Sequence, residues 1–466
     1  MQIPFDNTYA NLPTHFHHMQ GAEPVSNPAL IVWNSDLARE LGIVAQDKTE
    51  IAGVFSGNQT ANGSAPLAQA YSGHQFGYFN PQLGDGRALL LGEVIDQSGT
   101  RFDIQLKGSG RTPFSRRGDG RAWLGPVLRE YLVSEAMHAM DIPTTRALAA
   151  VSSGDPVYRE TILPGAVLTR IARSHLRVGT FQYFAHRQDI EGLQTLFTYA
   201  RDRHYPDAET PLDFLNCVIA AQARLIAKWM GIGFIHGVMN TDNCSISGET
   251  IDYGPCAFMD AYHPMCVFSS IDQQARYAYA NQPDIIVWNM AQLATSMVPL
   301  MPNQEDSVKV FTDAIHAMPQ MIQKEWITVF AAKLGVAEVT ETDAQLARDL
   351  LNIAQNHDLD FTILFHDLTA QCKSITETEN SDLNQWLTRW HAETTGRRDP
   401  DLMRQSNPAV IPRNHQLEAV ITAAVNGDFD PFHAMLSAVT RPFETHVDYM
   451  AAPKPHQVVK ATFCGT

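Results

Sequence analysis

With 466 residues, 44% of them hydrophobic and 18% charged, the chain has apolar material for two or three packed units and none of the bias of a disordered or low-complexity protein. Its formal net charge of -16 argues against nucleic acid as the main partner, because phosphate-backbone binding rests on a broad basic surface. Any chemistry on phosphates therefore has to come from a local basic pocket.

The opening MQIPFDNTYANLP has neither the cationic start nor the apolar core of a signal peptide, and no apolar run approaches the roughly 18 residues of a membrane span, so no membrane partner is expected. The six cysteines form no C-x-x-C pair and no zinc-like spacing, which suits a reducing compartment, the cytoplasm. HFHH at His15 to His18 has no acids at useful spacing and reads as an ordinary loop.

Residues 1–75 read as an irregular N-terminal extension, with helical pieces around Ala29 to Leu41 and a Gly/Asn/Ser-rich stretch at 56–64. A β-rich unit is predicted over 76–200. In RFDIQLKGSG, Phe102, Ile104 and Leu106 alternate with Asp103, Gln105 and Lys107, the pattern of a half-buried strand whose polar face carries the lysine. GPVLREYLVSEAMHAM opens with Pro126 at a first helical position and is apolar around most of its circumference, hence a buried helix. LDFLNCVIAAQARLIAKWMG places Leu215, Val218, Ile219, Gln222, Leu225, Ile226 and Trp229 on one helical stripe that stops at Gly231. The rest of a 201–466 unit is mostly helical. Strands first and helices after predict an α+β protein with a small β-rich lobe and a larger helical one.

Within the helical unit lies HGVMNTDNCSISGETIDYGP, His236 to Pro255. A protein-kinase catalytic loop runs H-R-D-x-x-x-x-N and is followed by D-F-G. Here the histidine, the asparagine and a D-Y-G are present, but Val238 occupies the place of the catalytic aspartate, and valine cannot accept a proton. Asp242 in the same loop is a carboxylate that can, which implies a displaced base and a displaced nucleophile. Ser247-Gly248 predicts a hairpin turn that pairs Ile246 with Glu249, Ser245 with Thr250 and Asn243 with Asp252. The last two would then face each other about 5 Å apart and form a hard oxygen site for Mg²⁺ or Mn²⁺. A solvated surface hairpin fits the same residues.

Lys107 ends its strand and acids follow on the next helix, the order of the phosphate-binding lysine and its glutamate partner in kinases. Helical geometry leaves Glu130 and Glu135 both open as that partner. LGDGR (Leu83 to Arg87) and KGSGRTPFSRRGDGR (Lys107 to Arg121) allow close backbone approach to an anion, and the second gathers Lys107, Arg111, Arg116, Arg117 and Arg121. Arg170 and Arg177 in LTRIARSHLRVGT are candidates to add charge to the same pocket, though from spacing alone they read as surface residues.

The segments AYSGHQFGYFNPQLGDGRALLLGE, DIQLKGSGRTPFSRRGDGRAWLGPVLREYLVSEAM, LTRIARSHLRVGTFQYF, HGVMNTDNCSISGETIDYGPCAFMD and IPRNH strongly resemble the selenoprotein O family, from about residue 5 to the last few residues. The resemblance implies a protein-kinase-like bilobal fold and a protein adenylyltransferase that binds ATP in reversed orientation and passes AMP to Ser, Thr or Tyr hydroxyls of protein substrates. UTP stands beside ATP as a candidate donor. Carried onto matching positions, it gives Lys107 with Glu130 as its ion-pair partner. It adds Gly84, Gly86, Arg87, Asp119, Gly120, Arg170, Arg177 and Asp252 as nucleotide contacts, Asn243 and Asp252 as ligands of Mg²⁺ or Mn²⁺, and Asp242 as proton acceptor. It also implies redox control through Cys464, paired with Cys266 or Cys256.

Overall fold

The alternating segment RFDIQLK does form a strand, and that strand lies inside an antiparallel sheet. The computed structural model describes residues 1–463 of an α+β protein. Its first strands in chain order are β1 (His17–Met19), β2 (Ala29–Trp33), β3 (Leu67–Gln69), β4 (Gly73–Gln75), β5 (Tyr78–Asn80), β6 (Ala88–Ile95), β7 (Arg101–Lys107), β8 (Ala122–Trp123), β9 (Arg146–Tyr158) and β10 (Ile162–Ala172). The main sheet runs β1-β3-β6-β7-β10-β9-β2 with β8 against β10, while β4 and β5 make a separate hairpin.

Both faces of this sheet are covered. Helices α1 (Ser35–Glu40) and α2 (Lys48–Phe55) lay Leu37 and Phe55, with Leu41 just after α1, on Ile104, Leu106 and Ile171. On the other face α3 (Leu124–Ala139) packs Leu128 and Leu132 among Leu90, Ala150 and Leu168. Strand β7 is therefore not half-buried: Asp103, Gln105 and Lys107 lie under protein as fully as Ile104 and Leu106 do. Buried polar groups need partners: Asp103 and Lys107 find them in ion pairs and Gln105 in hydrogen bonds.

Three local expectations change. Residues 29–33 are a strand, because Ala29 to Trp33 pair along β9. His17 and His18 belong to the edge strand β1 on β3, with Phe16 beneath in the core, so HFHH is a turn and strand in place of a loop. Helix α3 starts at Leu124, which puts Pro126 third, still within the turn whose N–H groups have no helical acceptor.

The helical half continues through α4 (Val178–His186), α5 (Ile190–His204), α6 (Pro211–Gly231), α7 (Gln282–Met297) and α8 (Gln304–Lys333), with shorter helices following to Met450. Thr210 and Asp213 make a capping box ahead of Pro211, and the apolar stripe of α6 is buried along its length. Strands β11 (Phe234–Ile235) and β12 (Ala257–Phe258) pair antiparallel and close the base of the 236–256 loop. Among the described residues no helix is long and apolar enough to cross a membrane. Cys464 lies outside the described residues; burial pushes the thiols of Cys256 and Cys266 up to about 12 and about 11.

Candidate active site

The end of β7 faces α3 and the 236–256 loop at once. Lys107 Nζ donates to Glu130 Oε2 at 2.6 Å and also contacts the Asp252 carboxylate. The other oxygen of Glu130 accepts from Arg170 Nη1 at 3.1 Å. Register explains the arginine: Arg170 on β10 stands opposite Gln105 on β7, donates to Gln105 Oε1 at 2.7 Å and comes within 4.0 Å of Asp252. Of the two acids on α3, Glu130 meets Lys107, whereas Glu135 holds Arg146 through bonds of 2.9 and 2.8 Å.

Arg170 and Arg177 are buried, not surface residues. Arg177 donates to the His175 carbonyl at 2.8 Å, lies 4.4 Å from the Tyr71 ring centroid and comes within 3.9 Å of Asp85. Burial disfavours its charge, but Tyr71, Asp85, Asp252 and Asp242 together raise its pKa. At Asp252 burial acts to raise the pKa, and the charges of Lys107, Arg170 and Arg87 outweigh it and hold the carboxyl well below the usual range. Asp252 also has a backbone φ of +71°, a left-handed conformation that costs a non-glycine residue about 1 kcal/mol or more and is concentrated at functional sites.

Beside this cluster opens a cleft of about 610 Å³. Gly84, Gly86, Arg87, Asp119, Gly120 and Asp242 all line it. Its glycines are demanded by close contact between two loops. A Cβ on Gly84, at φ +102°, would lie 2.4 Å from the Phe114 ring, and one on Gly120, at φ +68°, would lie 2.0 Å from the Gly110 carbonyl oxygen. Among the described residues no acid pairs with the guanidinium groups of Arg87, Arg116 or Arg117, which share the cleft wall. Asp119 accepts from Arg159 at 2.8 and 3.1 Å and from the Arg121 N–H at 2.9 Å; the Arg159 bonds foremost hold its carboxyl below its ordinary value. Nothing in the sequence singles out Arg159, which sits in the β9–β10 turn far from Asp119 in the chain.

The 236–256 loop supplies the remaining groups. His236 is buried, and burial lowers its pKa, so the ring is neutral. Its Nε2 lies 2.9 Å from the Ile251 carbonyl while Nδ1 accepts from the Val238 N–H at 3.3 Å, which fixes the proton on Nε2 and links Val238 to the approach to Asp252. Val238 is buried, and its carbonyl accepts from Asn243 Nδ2 at 3.0 Å. That bond orients the amide and leaves Asn243 Oδ1 with no hydrogen-bond partner among the described residues. Asp242 is buried; Gln75 Nε2 donates to its Oδ2 at 3.0 Å and Oδ1 has no partner. Burial foremost pushes its carboxyl up to about 6.

The expected Asn243–Asp252 hairpin ladder is absent. A turn is present one residue earlier, with the Gly248 N–H donating to the Ser245 carbonyl at 3.3 Å and Gly248 at φ +76°, and its arms pair elsewhere: Ser245 bridges Arg177 and Thr250 bridges Thr144. Both arms are wedged between α6 and the sheet half, where Gln222 Nε2 takes the Ser245 carbonyl at 2.7 Å and Trp229 Nε1 the Thr250 hydroxyl at 2.8 Å. These tertiary partners displace the local ladder. Asn243 Oδ1 and the Asp252 carboxylate nevertheless remain hard oxygen donors of the kind Mg²⁺ and Mn²⁺ prefer. Among the described residues no three His, Cys, Asp or Glu side chains converge on a cation, so an ion held there would complete its shell with water and phosphate oxygens.

Similarity to known proteins gives the class: the chain is a nucleotidyltransferase. The family model described as protein adenylyltransferase SelO matches residues 1–440. The protein nucleotidyltransferase YdiU of Ruegeria pomeroyi is 56% identical over 100% of this chain and 99% of its own. That of Roseobacter denitrificans is 56% identical over 99% of each chain, and that of Ruegeria sp. strain TM1040 is 55% identical over 100% of each. The chain belongs to the SelO family.

Proposed function

We propose that the protein transfers AMP from ATP to serine, threonine or tyrosine hydroxyls of other proteins and releases pyrophosphate. The observation that carries this reading is the continuity of the site: the largely buried Lys107–Glu130–Arg170–Asp252 cluster adjoins a cleft whose Arg87, Arg116 and Arg117 pair with no acid among the described residues, and Asp242 stands on its wall as the carboxylate of the 236–256 loop, where residue 238 offers none. A lysine on a strand paired to a glutamate on the next helix supports a kinase-like, two-lobed arrangement of units 1–75, 76–200 and 201–466.

In this reading Lys107, Arg170 and Arg177 receive the phosphate tail by charge-assisted hydrogen bonds, and Gly84, Gly86, Arg87, Asp119 and Gly120 receive the other end of the nucleotide. That orientation is reversed relative to a kinase and presents the α-phosphate to the acceptor. A Mg²⁺ or Mn²⁺ ion held by Asn243 and Asp252 would neutralise phosphate charge. Asp242, with its pKa near 6, is mostly ionised at pH 7 and basic enough to take the acceptor proton. As the proton leaves, the acceptor oxygen bonds to the α-phosphorus and the bond to pyrophosphate breaks. Glu130 stays ion-paired and fixes Lys107.

Incubating the protein with protein acceptors and ATP labelled at either the α- or the γ-phosphate tests the proposal, with UTP labelled at the α-phosphate run in parallel. Label from the α-phosphate on protein is expected. Label from the γ-phosphate would mean a kinase, and neither would mean a silent nucleotide-binding pseudokinase.

A further inference from the structure

The hairpin β4–β5 touches three consecutive residues of the 236–256 loop. The Phe76 N–H donates to Asn240 Oδ1 at 3.1 Å, the His74 N–H to Thr241 Oγ1 at 2.7 Å, and Gln75 Nε2 to Asp242 Oδ2 at 3.0 Å. The contact is braced from behind. Thr241 Oγ1 donates to Gln182 Oε1 at 2.7 Å, Gln182 Nε2 lies 2.8 Å from His74 Nδ1, and Tyr277 donates to Asn240 Oδ1 at 2.7 Å. Asp242 Oδ1 is turned toward Gly73, where a Cβ would stand 2.5 Å from it. Glycine leaves the space for one carboxylate oxygen, and glutamine anchors the other.

Gln75 and Asp242 both line the cleft. Among the described residues Gln75 makes the one side-chain hydrogen bond to Asp242. The chemistry of the donor matters. A cation in its place would stabilise the carboxylate and weaken it as a base, whereas a neutral amide orients it through a bond of modest net strength, about 1 kcal/mol.

We propose that Gln75 is a positioning residue for nucleotidyl transfer, its amide N–H fixing the Asp242 carboxylate so that Oδ2 meets the acceptor hydroxyl while Oδ1 occupies the space beside Gly73. This rests on the reading of Asp242 as the proton acceptor.

The test compares Gln75→Leu, Gln75→Glu, Gly73→Ala and Asp242→Asn in the full chain, using ATP labelled at the α-phosphate and the proteins of a bacterial extract as acceptors. Gln75→Leu should lower kcat about fivefold or more with KM for ATP within about twofold and Tm unchanged. Gln75→Glu, which keeps the shape but cannot donate, should lose as much. Gly73→Ala should lower kcat with Gln75 intact, and Gln75→Leu should cost nothing further on top of Asp242→Asn. Unaltered kcat in Gln75→Leu, a loss matched by a rise in KM, or an equal further loss in the Asp242→Asn background would overturn the proposal. Full activity in Asp242→Asn, or no labelling by the unaltered protein, would overturn the reading beneath it as well.

Discussion

Two cations, Lys107 and Arg170, and two carboxylates, Glu130 and Asp252, sit within a few ångströms of one another, all but Asp252 shielded from water. Removing one member of such a group leaves its partners uncompensated, which costs more than the intact group contributes. Lys107→Ala leaves Arg170 as the one nearby cation that Glu130 and Asp252 share, and it deletes the proposed phosphate donor. Asp252→Ala deletes the carboxylate proposed for the metal. Each variant should lose transfer activity by about a thousandfold or more, measured as incorporation of label from the α-phosphate, while remaining folded by circular dichroism. Val238→Ala should behave differently. What Val238 offers Asn243 is its main-chain carbonyl, at 3.0 Å, which any residue supplies. Its loss should stay well below a hundredfold, or about 2.7 kcal/mol; a larger fall would mean that the side chain does more than pack. At this scale the sequence was informative about residue types and poor about partners. Lys107 and Asp252 stand out in their motifs, but α3 carries two buried acids that helical geometry alone leaves open; in the fold Glu130 meets Lys107 beside Arg170, which the register of β10 against β7 brings there, while Glu135 meets Arg146. The same register buries Arg170, which its local sequence does not disclose.

Loops and strands tell a similar story one level up. Helices α3 and α6 were legible because their apolar pattern is local, and capping residues mark where α6 begins. Strand β2 was not, since ALIVW fits a helix or a strand until β9 offers its edge. The ladder predicted from Ser247-Gly248 failed for the converse reason: Gly248 does take a positive φ, but the turn closes one residue earlier, and α6 and the segments at Thr144 and Arg177 supply better partners for both arms. The glycine loops are expected from their sequence to admit an anion, and the close approach the structure shows at Gly84 and Gly120 is that of protein. Gly120 stands against Gly110, so the two ends of the 110–120 loop are pressed backbone to backbone. Gly120→Ala meets both a left-handed φ and a carbonyl oxygen at 2.0 Å, and must push the loop open. The expected outcome is a rise of about tenfold or more in KM for ATP, with Tm nearly unchanged because the loop lies at the cleft mouth, away from the core. Gly118→Ala, whose added Cβ would lie 3.1 Å from the Ser115 carbonyl oxygen without a positive φ, is the milder control.

For the whole molecule, buried ionisable groups make stability depend on pH from both sides. On the acid side stand Asp103 and His175. Burial would raise the Asp103 pKa, but Arg203 and His175 bring it down to about 2, and burial lowers His175 to about 4, so at neutral pH a carboxylate accepts from a neutral imidazole. The unfolded chain takes up protons at both sites before the folded one does. Their stabilisation is therefore present near neutrality and lost as the pH falls through about 6 toward 2. On the alkaline side stands Lys333 at the end of α8, its amine 4.2 Å from the Phe365 ring centroid and donating to the Ser406 carbonyl at 3.3 Å. Burial lowers its pKa from 10.5 to about 7, so between these values the unfolded chain binds more protons and stability rises with pH. At pH 7 this leaves a penalty on the order of a few kcal/mol. Lys333→Met keeps the apolar stem and removes the amine. It should raise Tm at pH 7 by about a few degrees, and the gain should shrink toward pH 10 as the wild-type amine becomes neutral in the unfolded chain too. Thermal melts of both proteins from pH 6 to 10 check this, because subtracting the two curves cancels the rising self-repulsion of an acidic chain. A difference that stays flat across that range would mean that Lys333 keeps its charge inside the helical half.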